Sequence, residues 1–246
     1  MSSIYGDLTE GERAFLVAVS VFVGGFTFEG ARHVSAAAGS DEVPVDDVMA
    51  DLVRRSVILE AGPPKRYALP DDVRRHALEE LQASPKYDQI REKHLDWCRS
   101  YAEESLDIGR QLGDDRVIAA SLTNLGAVAE VKGDHRSARS LYGEALELWR
   151  AIGDSYNAAS VLANLAEVAL AERDLAGARA LASDALEARR LVGDKAGMAS
   201  VLRLLSTVAL KQRDVDAARS FEAQRRQLVD ETEGSWLARF RRRLAP

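Results

Sequence analysis

Leu112-Gly113-Asp114, Ile152-Gly153-Asp154 and Val192-Gly193-Asp194 set one apolar-Gly-Asp tripeptide at a fixed interval of 40 residues. The residues between them stay in phase. Leu122, Leu162 and Leu202 correspond, as do Leu125, Leu165 and Leu205, then Ala129, Ala169 and Ala209. Asp134, Asp174 and Asp214 follow, with Ala138, Ala178 and Ala218. A period of this size marks a solenoid, because one unit cannot bury its apolar face alone and does so by stacking on the next. The spacing predicts two helices per unit. In the first full unit, helix A runs over about Val117 to Lys132 and buries Leu122, Leu125, Gly126 and Ala129, at steps of three and four. Gly133-Asp134 turns the chain, and helix B carries Ala138, Leu141, Tyr142, Ala145 and Leu148. Gly113 closes the preceding helix, since glycine tolerates the left-handed conformation past a helix end. Small residues at Gly126, Ala138, Ala166 and Ala178 let helix axes approach closely. In the third unit Glu222 and Arg225 replace Ala182 and Ala185, the polar outer face that a terminal unit needs. Upstream, Ile90 to Leu112 puts Tyr101 and Leu106 one period before Leu141 and Leu146, and reads as the second helix of a degenerate leading unit.

The chain has 246 residues, 46% of them hydrophobic and 29% charged, enough for one large domain or two small ones. A net charge of −6 argues against wholesale polyanion binding. Cys98, the single cysteine, excludes an internal disulfide framework and fits a reducing compartment. The most apolar N-terminal run, Ala14 to Phe28, is broken by Ser20 and Gly24-Gly25 and lacks the flanks of a signal peptide or membrane span. The expectation is a soluble, cytoplasmic protein.

Residues before about 85 do not follow the repeat. Thr9 and Glu12 form a capping box ahead of a helix through Phe22, which Gly24-Gly25 ends. Thr27 caps a second helix to about Ala38, and Pro44, Asp46 and Asp47 open a third carrying Val48, Leu52 and Val53. Val57-Ile58-Leu59, a turn at Gly62-Pro63-Pro64-Lys65, and Arg66-Tyr67-Ala68-Leu69 read as a hairpin, and Asp71 caps a last helix to about Gln82. Three helices, a hairpin and a helix are the order of a winged-helix domain. The expected architecture is therefore mostly α, with a winged-helix-like domain over residues 1–85, a helical repeat array over 86–230, and a basic amphipathic tail over 231–246.

The array resembles the tetratricopeptide repeat. Leu125-Gly126 and Ala129 fall where that family packs its first helix, and Ala138, Tyr142 and Ala145 where it places the Ala, aromatic and Ala of its second. The added length over about 34 residues lies at the connection between units, and resembles the longer repeat of bacterial regulators such as the maltose-regulon activator. The N-terminal third is similar to the segment between the nucleotide-binding module and the repeats of STAND-class signal-transducing ATPases. The residues carrying this are Leu8-Thr9 with Glu12, Val21-Phe22-Val23-Gly24-Gly25-Phe26-Thr27, Asp51-Leu52-Val53 with Ser56-Val57, and Arg66-Tyr67-Ala68-Leu69 with His76-Ala77-Leu78. The resemblance covers roughly residues 4–230. It implies the sensor half of such a regulator, with an ATPase module of the same system as one partner. The phosphate-cradling GxxxxGK[ST] occurs nowhere in the sequence.

Candidate sites follow from the register. The outer row of the helix-A faces should form the concave, partner-binding surface. It comprises Ala120, Thr123, Ala127 and Glu130, then Ser160, Ala163, Glu167 and Leu170, then Ser200, Arg203, Thr207 and Lys211. Thr123 and Ala163 stand where a chaperone-binding repeat would place a carboxylate-clamping lysine, which disfavours that ligand class. Asn124 and Asn164 read as structural hydrogen-bonding residues. DNA contact is disfavoured, because Asp46, Asp47 and Asp51 on the third helix would face phosphates, and a solvated helix end accounts for Arg54 and Arg55, although Lys65 and Arg66 add positive charge. The histidines His33, His76, His94 and His135 are dispersed, no HExxH or CxxC occurs, and Cys98 beside Trp97 and Tyr101 reads as a buried structural thiol. Neither catalytic residues nor a metal or cofactor site is expected. Trp236-Leu237, Phe240 and Leu244 among Arg239 and Arg241 to Arg243 read as a final helix covering the last repeat rather than a membrane element. The leading reading is a non-enzymatic regulatory or scaffold protein that binds a protein or peptide. The alternative is a DNA-binding transcriptional regulator using the winged helix, with the repeats as sensor. With no glycine-rich loop and lysine to hold phosphates, calorimetry on this chain should detect no ATP binding in the micromolar range.

Overall fold

The structure, a computed structural model, describes residues 7–38, 44–61 and 65–244, with side chains of the last helix described as far as Glu231. The chain divides into two compact units, Met1–Tyr101 and Ala102–Pro246.

Among the described residues the second unit is built from six antiparallel helices after the end of α5 (Tyr87–Leu112): α6 (Asp115–Val131), α7 (His135–Ile152), α8 (Ser155–Ala171), α9 (Leu175–Leu191), α10 (Lys195–Lys211) and α11 (Val215–Leu244). One junction is used six times, every 20 residues. Gly113, Gly133, Gly153, Arg173, Gly193 and Arg213 all have φ between 62° and 78°. At each, the N–H of the following aspartate donates to the carbonyl five residues back, as Asp134 N does to Ala129 O at 2.9 Å and Asp174 N to Ala169 O at 2.9 Å. The left-handed residue itself donates three residues back, so two orphan carbonyls of the ending helix are satisfied. The same aspartate then caps the next helix. Asp114, Asp134, Asp154, Asp174, Asp194 and Asp214 each accept the backbone N–H three residues on, from Val117, Ser137, Asn157, Gly177, Gly197 and Ala217, at 2.9–3.1 Å. The Ser137 side chain and then its backbone N–H hold the Asp134 carboxyl below the ordinary aspartate range, and the Asn157 backbone N–H does so first for Asp154. Helix end and helix start thus share two residues, and the period is fixed.

Burial follows the predicted stripe. Ala138, Tyr142, Ala145, Ala166, Ala178, Ala182 and Ala185 are fully enclosed in one core that also holds Leu106, Leu122, Leu162 and Leu205. Gly126 lies against the Tyr142 ring, where an added Cβ would come within 2.6 Å of ring carbons. One unit on, the same two positions are Ala166 and Ala182, so a glycine-tyrosine pair is exchanged for two alanines. In the third they are Ser206 and Glu222, and Glu222 forms ion pairs with Arg225 and Arg226 on the outer side of α11. Those guanidiniums hold the Glu222 carboxyl down to about 2, with the Arg225 hydrogen bond the largest cause. Glu222 and Arg225, which stand where the second unit has alanine, are half-buried and paired with each other.

The first unit contains α1 (Glu10–Val19), α2 (Phe28–Ser35) continued by a 3-10 turn at Ala36–Ala38, α3 (Val45–Arg54), strands β1 (Leu59–Ala61) and β2 (Arg66–Ala68), and α4 (Asp71–Ala83). The capping box is present: Glu12 N donates to Thr9 Oγ1 at 3.2 Å and Thr9 N to Glu12 Oε2 at 2.6 Å. Phe15, Leu16, Val34, Leu52, Ile58, Leu81 and Ile90 fill the core. Phe26 pairs with Tyr67 through both backbone bonds, at 2.7 and 2.8 Å, so a third extended segment joins the hairpin. Gly25, at φ 99°, passes so close to the Tyr67 carbonyl that no side chain fits.

Four details differ from the expectations. The first helix ends at Val19, short of Phe22, with Ser20 Oγ returning to the Val17 carbonyl. β1 begins at Leu59, because Val57 and Ile58 turn into the core with their N–H groups on the Leu52 carbonyl. Asp71 lies inside the first turn of α4, and Pro70 holds the cap position without a side-chain bond. Cys98 is half-buried rather than enclosed. The turn at Gly62-Pro63-Pro64 and the side chains from Trp236 to Leu244 lie outside the described residues.

Arg173 and Arg213 are exposed and sit where the other four junctions have glycine. A side chain in the left-handed region costs about 1 kcal/mol, part of which glycine returns as unfolded-state entropy. Arg173→Gly and Arg213→Gly should each leave stability unchanged or raise it by up to ~1 kcal/mol, whereas Gly153→Ala should lower it by about 1 kcal/mol in urea unfolding.

Candidate partner-binding face

Helices α6, α8 and α10 are the first helices of their hairpins, and each touches the next directly, α6 on α8 and α8 on α10. Their outward residues therefore share one surface. Positions 40 apart align into rows: Thr123, Ala163 and Arg203; Ala127, Glu167 and Thr207; Glu130, Leu170 and Leu210. Lys211 is one position beyond the last row, beside exposed Leu210.

The expected site residues separate into two groups. Glu167, Arg203, Thr207 and Lys211 are exposed. Thr123, Ala127, Glu130 and Ala163 are half-buried. Thr123 is committed to the scaffold: its hydroxyl donates to Ala119 O at 2.8 Å and accepts from Trp149 Nε1 at 3.3 Å. Ala127 and Ala163 pack on the core edge. Glu130 accepts the Tyr142 hydroxyl at 2.8 Å. Its carboxyl is pushed up, first by desolvation and then by the nearby Glu167 charge, against the Tyr142 bond that lowers it. Tyr142 in turn is driven above the usual phenol range by burial and by Glu130. Asn164, on the next first helix, offsets part of that rise. Two alternating helices and one buried phenol thus converge at the seam of the first and second units.

Sequence reasoning missed Arg189. It occupies the Trp149 position one period on and is 9% exposed. Its guanidinium pairs with the capping Asp194, donates to Ser160 Oγ at 2.8 Å, and lies 4.8 Å from the Tyr156 ring centroid. Ser160, expected on the partner face, is bound into this network. An arginine at a tryptophan position was the available signal, because a cation replacing a buried ring must bring partners with it. A repeated latch was also missed: Arg139 reaches Glu172, and Arg179 reaches Gln212 at 3.0 Å, the same pair 40 residues on.

In the first unit the cations of the third helix and hairpin are engaged within the protein. Arg54 pairs with Asp51 at 2.7 Å, and Arg55 with nearly buried Glu12 at 2.8 Å. Lys65 pairs with Glu60 at 3.0 Å, and Arg66 donates to the Gly25 carbonyl at 3.1 Å. Arg55 is thus part of the fold and not a solvated helix end. Cys98 Sγ is 3.4 Å from His94 Nε2, and burial raises the thiol and lowers the imidazole, which keeps both neutral near pH 7. No helix among the described residues is long and apolar enough to cross a membrane.

Stacked antiparallel hairpins with this packing pattern make the second unit a tetratricopeptide-like α-solenoid, and residues 95–151 and 117–190 match the tetratricopeptide repeat family model. In sequence the chain is similar to proteins named HTH-type transcriptional regulator from Mycobacterium bovis and Mycobacterium tuberculosis, 32% identical over 120 residues. That match takes in 48% of this chain and spans 13% of the length of those relatives. In fold it is similar to BtubC (BKLC) from P. vanneervenii, with a TM-score of 0.55 at 18% identity over 92% of this chain and 94% of that one. A STAND protein with a tetratricopeptide repeat sensor from Pyrococcus horikoshii matches 95% of this chain and 46% of its own at 14% identity, with a TM-score of 0.32, too low to bear on the fold.

Because the Glu130 carboxyl is raised in the folded state, the native protein holds that proton more tightly than the unfolded chain does. Its contribution to stability is present at low pH and is lost as pH rises through the folded value. Relative to Glu130→Gln, wild type should lose thermal stability between about pH 4 and pH 7. A wild-type advantage that grows over this interval would show that the Tyr142 bond outweighs desolvation.

Proposed function

We propose that this protein is a non-enzymatic regulatory or scaffold module that binds a protein or peptide through the face formed by α6, α8 and α10, the concave face of a tetratricopeptide-like array, and that it serves as the sensor part of a STAND-type regulator. The observation that carries this reading is the continuous surface of three helix faces, on which Glu167, Arg203 and Thr207 remain exposed in the aligned rows and Lys211 is exposed just beyond them. Tetratricopeptide repeats generally mediate protein contact, which supports the same class of role. Under this reading residues 1–85 form a winged-helix-like domain, residues 86–230 the array, and residues 231–246 a basic cap. The Phe26–Tyr67 bridge supports the first assignment, since it adds the short strand that such domains carry between their first two helices.

A second reading, a DNA-binding transcriptional regulator with the repeats as sensor, is favoured by the name of the mycobacterial relatives. The pairing of Arg54, Arg55, Lys65 and Arg66 within the first unit weighs against it, because phosphate binding would have to break those contacts. The two readings separate in one pair of variants. Arg203→Glu with Lys211→Glu should weaken capture of a partner peptide that offers acidic residues to this end of the face, with a loss that shrinks as salt rises, while Arg54→Ala with Lys65→Ala should leave it intact. A salt-dependent shift of duplex DNA that Arg54→Ala with Lys65→Ala abolishes would favour the second reading.

A further inference from the structure

The face formed by α6, α8 and α10 changes sign along the array. At its α6–α8 seam, Glu130 and Glu167 lie near enough for one charge to oppose the other. Neither forms an ion pair among the described residues, and the Tyr142 hydroxyl is a neutral donor that leaves the charge of Glu130 in place. On α10, Arg203 and Lys211 are exposed, and they too form no ion pair among the described residues. The other cations of these three helices have partners, Arg116 in Asp154 and Lys195 in Glu231. Between the two charged ends the surface is small or apolar, with Ala127, Ala163 and Leu170 at the edge of the core. Small side chains there let a ligand backbone come close, and unpaired charges at both ends can orient it.

We propose that this face takes an extended peptide segment of opposed charge, with a lysine or arginine set over Glu130 and Glu167 and an aspartate or glutamate set over Arg203 and Lys211. The proposal rests on the reading of this face as the partner surface and specifies its ligand. Glu130 and Arg203 stand on helices two steps apart, at ~9 Å per packed pair. Glu130 stands in the row of Leu210, seven positions past Arg203, which adds ~10 Å along the axis. An extended chain rising ~3.3 Å per residue thus covers the ~21 Å diagonal in about six steps. The face therefore selects for charge spacing as well as sign. A purely acidic ligand would meet Glu130 and Glu167, and a purely basic one Arg203 and Lys211, each a like-charge contact that disfavours the wrong partner.

The probes are synthetic peptides titrated against the full chain by chemical-shift perturbation: one with a lysine pair and a glutamate pair separated by about five Ala and Ser residues, one with the same charges adjacent, one all-acidic and one all-basic. The spaced peptide should bind at least about threefold more tightly than each control at low salt, and the advantage should fade as salt rises. Glu167→Lys and Arg203→Glu, both on exposed sites, should each cost about threefold with that peptide while the thermal midpoint does not fall. If the all-acidic peptide binds as well as the spaced one, and only Arg203→Glu matters, the opposed-charge ligand is wrong while the partner face stands. If both variants leave the binding of every peptide unaltered, the face itself is wrong. Absence of binding by all four peptides up to about millimolar concentration overturns the proposal as well.

Discussion

Everything in the repeat array depends on reversing the chain with two residues. An α-helix leaves carbonyls unsatisfied at its end and N–H groups unsatisfied at its start. Here a left-handed residue and an aspartate answer both needs at once, at six junctions set 20 residues apart. Because the junction never lengthens, each helix begins at the same rotational phase as its counterpart 40 residues earlier. The apolar stripes then meet in the same register at every interface. A longer or looser connection would let the hairpins rotate, and Ala138, Ala178 and their partners would no longer face one another.

Within that frame, the same pair of positions is filled differently from one unit to the next. Gly126 with Tyr142 and Ala166 with Ala182 are two ways of filling the same gap between a pair of helices, and both leave the core closed. The tyrosine has a further consequence. Its hydroxyl emerges at Glu130, so the packing choice in the first hairpin fixes the position of a carboxylate on the partner face. In the second unit the alanine pair leaves that place apolar, with Leu170 in the corresponding row. Uneven core packing thus becomes an uneven surface, and a sequence of near-identical units acquires one distinctive seam.

Charge in the first unit is used for closure. Glu12 accepts the Thr9 backbone N–H and also the Arg55 guanidinium, which joins the start of α1 to the end of α3. Removing Arg55 would leave a carboxylate that is only 7% exposed without its counter-charge, a costly arrangement in a low-dielectric site. That internal use of cations, more than the acidic start of α3, is the physical argument against phosphate recognition there.

The sequence by itself determined the period, the two helices per unit, the order of elements before residue 85 and the capping of the first helix. Each rests on local chemistry: the 3.6-residue stripe, glycine's left-handed conformation, and the reach of Thr9 and Glu12 to each other's backbone. Tertiary structure decided which side chains on the face of α6, α8 and α10 are left exposed. Thr123 and Ser160 sit at the right register, yet Trp149 and Arg189, from the following helices, hold their hydroxyls. Arg55 looked solvated until Glu12, 43 residues away in sequence, was found beside it. The reason is common to all three. Periodicity specifies which way a residue points along its own helix, whereas the partner that claims it comes from another segment whose approach only the packed fold defines.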